Sequence, residues 1–219
     1  MKDKPVETTR RPAGRAGYHH GSLPGALVAT ALELLDEQGP DRVTVREVAR
    51  RAGVSPAAPF RHFADRAALL TAVADRVLAD YEQWLAAAVA TGRGPRMRDF
   101  GLGFLRYALA HPHRFALIRP RVFGPTPDAA LRPRLAGIET TLTELIRADQ
   151  QAGVLRPGDP ELVGLAGQAL VYGLTQMFVD GHLPAEGAEQ LAEQVLTTFG
   201  LGIVGPGATG PGSGCPAGD

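Results

Sequence analysis

The chain has 219 residues, 44% of them apolar and 21% charged, with 23 basic side chains against 23 acidic ones. That length supports one or two domains with a real core, and the balance is that of an ordinary globular protein, which excludes a disulfide-stapled miniprotein and wholesale disorder. Cys215 is the single cysteine, so no intrachain disulfide or cysteine-rich metal framework is expected. The longest apolar run, Trp84 to Ala90, has seven residues, against the roughly 20 that span a bilayer. The polar N-terminus lacks the apolar core of a signal peptide. These features read as a cytoplasmic protein with no membrane partner.

Residues 1–17 are polar, rich in Arg, Thr and Pro, and without apolar periodicity, which predicts a disordered arm carrying Arg10, Arg11 and Arg15. From Ser22 the pattern is helical. Ser22 can cap, Pro24 suits the first turn, Leu27, Ala31, Leu34 and Leu35 repeat on one face, and Gly39-Pro40 stops the helix. Thr44-Val45-Arg46-Glu47 reads as a capping box, with the Thr44 hydroxyl taking the Glu47 amide and the Glu47 carboxylate reaching back to the Thr44 amide. Val45, Val48, Ala49 and Ala52 form the apolar face of this second helix and leave Arg46, Arg50 and Arg51 on the others. Gly53 suits a left-handed turn, and Ser55-Pro56 predicts a third, short helix running to about His62. A long helix follows from Ala64-Asp65, with Leu69, Val73, Val77, Tyr81, Leu85 and Ala88 on one stripe, and ends at Gly92-Gly94-Pro95. Further helices are expected near 95–110, 112–118, 128–152, 159–180 and 186–203, and residues 205–219 read as a disordered Gly/Pro tail. The fold class is all-α with about nine helices.

Residues 42–66 carry six arginines against Glu47 and Asp65, a net charge of +4, while residues 67–219 carry a net of −3. One basic end on a mildly acidic remainder is what gripping a polyanion requires, and it is equally what a solvated charged face looks like. Two short helices joined by a Gly turn, with one supporting helix before and a long one after, follow the helix-turn-helix plan for placing a recognition helix in the major groove. This assigns residues 18–64 to a DNA-binding domain and 65–204 to a bundle.

Residues 22–80 resemble the N-terminal DNA-binding domain of the TetR/AcrR family of bacterial transcriptional repressors. The stretch T-V-R-E-V-A-R-R-A-G-V-S-P-A-A-P-F-R-H-F-A-D-R-A-A-L-L follows the family pattern Thr-x-Arg-x-Ile-Ala-x-x-Ala-Gly-Val-Ser-x-x-x-Leu-Tyr-x-His-Phe-x-x-Lys-x-x-Leu-Leu. The resemblance implies that Thr44 and Arg46 contact phosphate or base, that Ser55, Pro56, Ala57 and Ala58 lie nearest the base edges, and that Phe60, Arg61 and His62 flank phosphates. Arg66 stands where the family usually has lysine. Two departures stand out. Phe60 replaces the usual Tyr and loses its hydroxyl, and Pro59 replaces an aliphatic residue and has no amide for the Ser55 carbonyl. With Pro56, Ala57 and Ala58 offering no hydrogen bonds, base reading leans on thymine-methyl contacts, on Arg46 and Arg61, and on DNA shape. His62 reads either as a packing histidine or as a phosphate ligand, Phe63 as core, and Phe60 as either. The arm's arginines suit the minor groove or phosphates, and the Tyr18-His19-His20-Gly21 segment is similar to one found in a subgroup of the family.

The C-terminal half is similar to the family's subgroup named for a Trp-His-Gly motif, through His111-Pro112-His113-Arg114-Phe115-Ala116-Leu117-Ile118 and Val171-Tyr172-Gly173-Leu174, with Tyr172 in place of the subgroup's His. The last two helices are apolar over wide arcs, from Leu162 to Phe178 and from Leu191 to Phe199, which predicts a homodimer formed through them. Trp84, Phe104, Tyr107, Phe115, Tyr172, Gln176 and Met177 are the candidate lining of a pocket for a small apolar effector, and each is also an ordinary core residue. The resemblance implies a repressor released from a palindromic operator when the effector shifts the helix over 65–91, which spoils the spacing of two recognition helices over major grooves about 34 Å apart. No cofactor is expected. His111 and His113 flank Pro112 and do not share a helix face, which argues against a metal there. The chain has no Gly-rich phosphate loop after a strand and no His-Glu-x-x-His, so an enzyme is not the reading. The rival is a helical small-molecule-binding or scaffold protein that does not bind DNA.

Overall fold

The structure is a computed structural model that describes residues 22–125 and 127–201. Arg10, Arg11, Arg15, the Tyr18-His19-His20 segment and Cys215 lie outside the described residues. Among the described residues there are eight α-helices, three short 3-10 turns and no strand. The helices are α1 (Leu23–Gln38), α2 (Val45–Arg51), α3 (Arg66–Thr91), α4 (Arg96–Ala110), α5 (Pro112–Val122), α6 (Arg132–Gln151), α7 (Pro160–Val179) and α8 (Ala188–Leu201). The all-α class and the order of elements agree with the sequence reading. The expected third short helix is the exception.

Local chemistry accounts for most helix ends. Gly39 and Gly53 sit at φ +80° and +69°, where a side chain would be strained, and they close α1 and the turn after α2. The Thr44 hydroxyl accepts from the Glu47 amide at 3.2 Å, and the Asp65 carboxylate accepts from the Ala68 amide at 2.8 Å to start α3. Two expected caps differ. The Ser22 hydroxyl makes no cap bond, and Pro24 at the second helical position removes one of the two amides it could have taken. The Glu47 carboxylate does not turn back to Thr44, because Arg50 takes it through bonds of 2.8 and 2.6 Å and Arg51 through one of 3.1 Å. Charge-assisted bonds outcompete a neutral amide.

α3 is the spine. Of its predicted stripe, Leu69, Val73, Val77, Tyr81 and Leu85 are buried, in one continuous cluster with Leu27, Leu34 and Leu35 of α1, Val45 and Val48 of α2, and Phe115 and Leu117 of α5, and Ala88 is half-buried. A Cβ added at Gly103 of α4 would meet the Ala88 methyl at 2.9 Å, so glycine there lets α3 and α4 cross closely. The Trp84 indole N–H donates to the Gly103 carbonyl at 3.0 Å across the same crossing. A smaller cluster of Leu102, Leu105, Leu174, Phe178, Ala188 and Ala192 joins α4, α7 and α8. α7 is long and apolar enough to cross a membrane by length and composition, yet it packs on α4, α6 and α8.

The start of α4 is capped from another helix. Pro95 precedes it and provides no side-chain cap. The buried Asp149 carboxylate of α6 accepts from the Met97 amide at 3.2 Å and from Arg96 at 3.1 Å. Replacing Asp149 by Ala leaves that amide unpaired and is expected to lower the unfolding free energy by about 1–3 kcal/mol. The loss is read as a fall in urea midpoint at fixed protein concentration, with Asp149→Asn recovering part of it through its remaining acceptor oxygen.

Candidate nucleic-acid interface

The segment between α2 and α3 is a chain of tight turns. The Ser55 carbonyl, which an α-helix would pair with the amide of residue 59, accepts from the Ala58 amide at 3.0 Å instead. The closures continue from Arg61 to Ala58 at 3.3 Å and from His62 to Pro59 at 2.9 Å, giving a 3-10 turn over Pro59–Arg61 in place of the predicted helix. The reason is Pro59, whose ring nitrogen has no hydrogen to donate, so the Ser55 and Ala58 carbonyls settle for bonds three residues apart, while the Pro59 carbonyl accepts from both the His62 and the Phe63 amides at 2.9 Å.

The turn presents its side chains outward. Ser55, Pro56, Ala57, Phe60, Arg61 and His62 are exposed, Ala58 is half-buried, and Phe63 packs in the core. Phe60 is 54% exposed, which decides between its two readings: it is a surface residue. His62 is exposed as well, and its ring has no hydrogen-bond partner among the described residues.

The six arginines of residues 42–66 fall into two groups. Arg50 pairs with Glu47, which it and Arg51 hold at a pKa of about 2, and Arg51 also reaches Glu37 at 2.7 Å. Arg66 donates to the Val43 carbonyl at 2.7 Å and to the Pro40 carbonyl at 2.6 Å, fastening the first turn of α3 to the loop before α2. Arg42, Arg46 and Arg61 are exposed and form no ion pair with any described residue. The Thr44 hydroxyl, also exposed, is engaged in its cap. The sequence pattern does not single out Arg42, although it lies in the basic stretch.

In the bundle, five of the seven candidate effector residues form a chain of ring contacts. Trp84 meets Tyr107 at 5.7 Å, Phe104 meets Phe115 at 5.8 Å, Phe104 meets Tyr172 at 6.4 Å, and Tyr81 joins the two groups. Gln176 is bonded to Arg119 at 2.7 Å. Met177 stands apart and is 44% exposed, because five residues along a helix turn it about 140° from Tyr172. A cleft of about 220 Å³ opens beside Phe115, lined also by Pro112, Ala116, Arg119, Pro120, Val179 and Asp180. His111 lies against Trp84 and Tyr107, and burial, reinforced by the Arg114 charge, pushes its pKa below the ordinary value.

A second feature with no signal in the sequence ties this bundle to the head. Arg114 of α5 forks onto the Asp36 carboxylate of α1 with bonds of 2.8 and 2.7 Å and reaches Asp80 of α3 at 3.2 Å. The neighbouring His113 ring bonds the Asp36 carbonyl at 3.0 Å.

Residues 27–73 match the family described as bacterial regulatory proteins, tetR family, and residues 97–199 match a tetracyclin repressor-like C-terminal domain. The chain belongs to the TetR family. Tetracycline repressor protein class A from transposon 1721 of Escherichia coli is 34% identical over 122 residues, which are 56% of this chain and 52% of that protein. The chain thus spans about half the length of that curated relative. A structure of a protein of unknown function from Rhodococcus sp. RHA1 covers 86% of this chain and is itself covered to 98%, at 29% identity and a TM-score of 0.74. A structure of AibR in complex with isovaleryl coenzyme A and operator DNA shares the fold at 21% identity and a TM-score of 0.56, covering 79% of this chain with 95% of its own. The C-terminal match is to the tetracyclin repressor-like type, and the Trp-His-Gly subgroup remains a resemblance.

Because Arg66 bonds two carbonyls, its removal acts on folding. Arg66→Ala is expected to lower Tm by about 2–6 °C in the absence of DNA. Arg46→Ala, which gives up no partner among the described residues, is expected to leave Tm within about 1 °C of the parent in the same thermal scan.

Proposed function

We propose that this chain is a ligand-responsive DNA-binding transcriptional regulator, a homodimeric repressor released from a palindromic operator by a small-molecule effector. The observation that carries the reading is the division of charge in the head. Arg50, Arg51 and Arg66 are engaged within the fold, while Arg42, Arg46 and Arg61 are exposed and form no ion pair with any described residue, Arg61 within the outward-facing turn itself. Exposed cations with no partner inside the fold are what neutralising a row of phosphates requires.

The bundle supports the remainder of the reading. Leu162 and Leu165 of α7 are 64% and 63% exposed, and Phe199 of α8 is 53% exposed, an apolar surface suited to a second copy of the chain. The effector belongs among Phe104, Phe115 and Tyr172, beside the cleft at Phe115 and Arg119. These rings pack on one another, so an incoming ligand must displace α5. That helix carries Arg114 and His113, which hold α1 through Asp36, so its displacement moves the head. The complex of AibR with an acyl coenzyme A and operator DNA is a precedent in the fold for one molecule holding both ligands, and an acyl thioester is among the chemistries the aromatic chain suits.

Two measurements test this. Binding of the full chain to duplex DNA should weaken linearly in log–log plots against salt, and Arg46→Ala or Arg61→Ala should each reduce the slope by about 1 for every phosphate the arginine neutralised, thus by about 2 per dimer. An unchanged slope in both variants would remove the DNA role. Light scattering should give twice the 23.1 kDa chain mass, and Leu165→Glu should return the mass to that of one chain, since a charge cannot be buried across the interface without a partner.

A further inference from the structure

The turn that faces outward between Ser55 and His62 is mainly hydrocarbon. Ala57 and Phe60 both stand exposed along it, on either side of the half-buried Ala58 and buried Pro59. Its polar exposed side chains, Ser55, Arg61 and His62, stand at the two ends, and Pro56, Ala57 and Phe60 fill the middle. Phe60 is the single large apolar side chain that the described part of the head exposes, with more than half its surface open. The exposed cations of the same basic stretch, Arg61 beside it, Arg42 before α2 and Arg46 on α2, make a duplex the complementary occupant and an apolar protein surface a poor one.

A hydrocarbon surface can read little in the major groove. Base edges there present nitrogen and oxygen donors and acceptors, and the sole apolar group is the methyl on C5 of thymine. Setting Phe60 against any polar edge strips that edge of water without replacing its hydrogen bonds, so wrong bases are rejected while a methyl group is accepted. We infer that the head recognises C5-methyl groups, with Phe60 as the receiving side chain, and that it accepts 5-methylcytosine as it does thymine because both carry the same methyl at the same ring position. This rests on the DNA-binding reading above and names what that surface takes.

The test uses the full chain and a duplex selected by it from a random pool. Each thymine is replaced by deoxyuridine, which removes the methyl and keeps the pairing edge. At one or more thymines per half-site, affinity should fall by about fourfold for each methyl removed. Changing such a T·A pair to C·G should weaken binding, and methylating that cytosine should recover a similar factor. Phe60→Ala should bring the thymine-to-uracil ratio close to one, whereas Arg46→Ala should weaken both duplexes alike and leave the ratio intact. Equal affinity for thymine and uracil duplexes at every position, or an unchanged ratio in Phe60→Ala, overturns the inference while the DNA-binding reading stands. Failure to select any duplex overturns both.

Discussion

The missing amide of Pro59 shapes the whole head. An α-helix entering at Ser55 needs the amide of residue 59 for its first bond, and the ring nitrogen of proline has none. The carbonyl of Ser55 turns to Ala58, the backbone tightens to three-residue closures, and a short, blunt turn replaces a helix whose length would have spread its side chains around an axis. Pro59 itself is buried beneath the turn, so the same residue that prevents the helix also anchors its substitute. Phe60 then has nowhere to go but out, since Pro59 before it and Phe63 after it occupy the core side.

A blunt head is only as well aimed as the elements that hold it. Arg66 ties the beginning of α3 to carbonyls of the loop before α2, and the Arg114 fork ties the far end of α1 to α5 and α3. Both contacts grip the chain around the C-terminal end of α1, at Asp36 and at Pro40 and Val43, so this junction is held to α3 and α5 together and the head turns as a body with α3 instead of flexing against it. The continuous apolar cluster from Leu27 to Phe115 reinforces this. In the proposed reading, a ligand among the bundle rings needs no long pathway to reach the head. It has only to shift α5, one helix away, for the Asp36 attachment to follow.

Local signals are legible in the chain and distant ones are not. The caps at Thr44 and Asp65, the left-handed Gly39 and Gly53, and the stripe along α3 are properties of a few neighbouring residues, so the linear order of side chains is enough to reveal them. A third helix is the natural expectation because Ser55-Pro56 is a good helix start and the family pattern continues through it, although the forfeited Ser55 bond is visible in Pro59 itself. Here one missing donor outweighs several favourable propensities. Glu47 departs from the capping box because its two arginine partners lie on the same helix and bind it more strongly than the Thr44 amide. Asp149 capping a helix 52 residues away, and Arg114 holding Asp36 across 78, leave no local trace, since either carboxylate reads as an ordinary surface acid until the chain is folded.

The division of the head into bare cations and bare hydrocarbon has a consequence for how affinity and discrimination are apportioned. In the proposed dimer, the six arginines that pair with no described residue are comparable with the six to ten phosphate contacts for which binding weakens by about 10³–10⁵ between 50 and 200 mM salt. That term is the same for every sequence. A methyl against Phe60 contributes only about 0.8 kcal/mol, but it is insensitive to ionic strength and differs from base to base. Where a recognition helix carries Arg or Asn on its reading face, one side chain serves both ends and the two quantities change together. In the proposed reading they reside on chemically separate groups, so raising the salt strips the general attraction first and leaves the choice among sequences to the uncharged ring of Phe60.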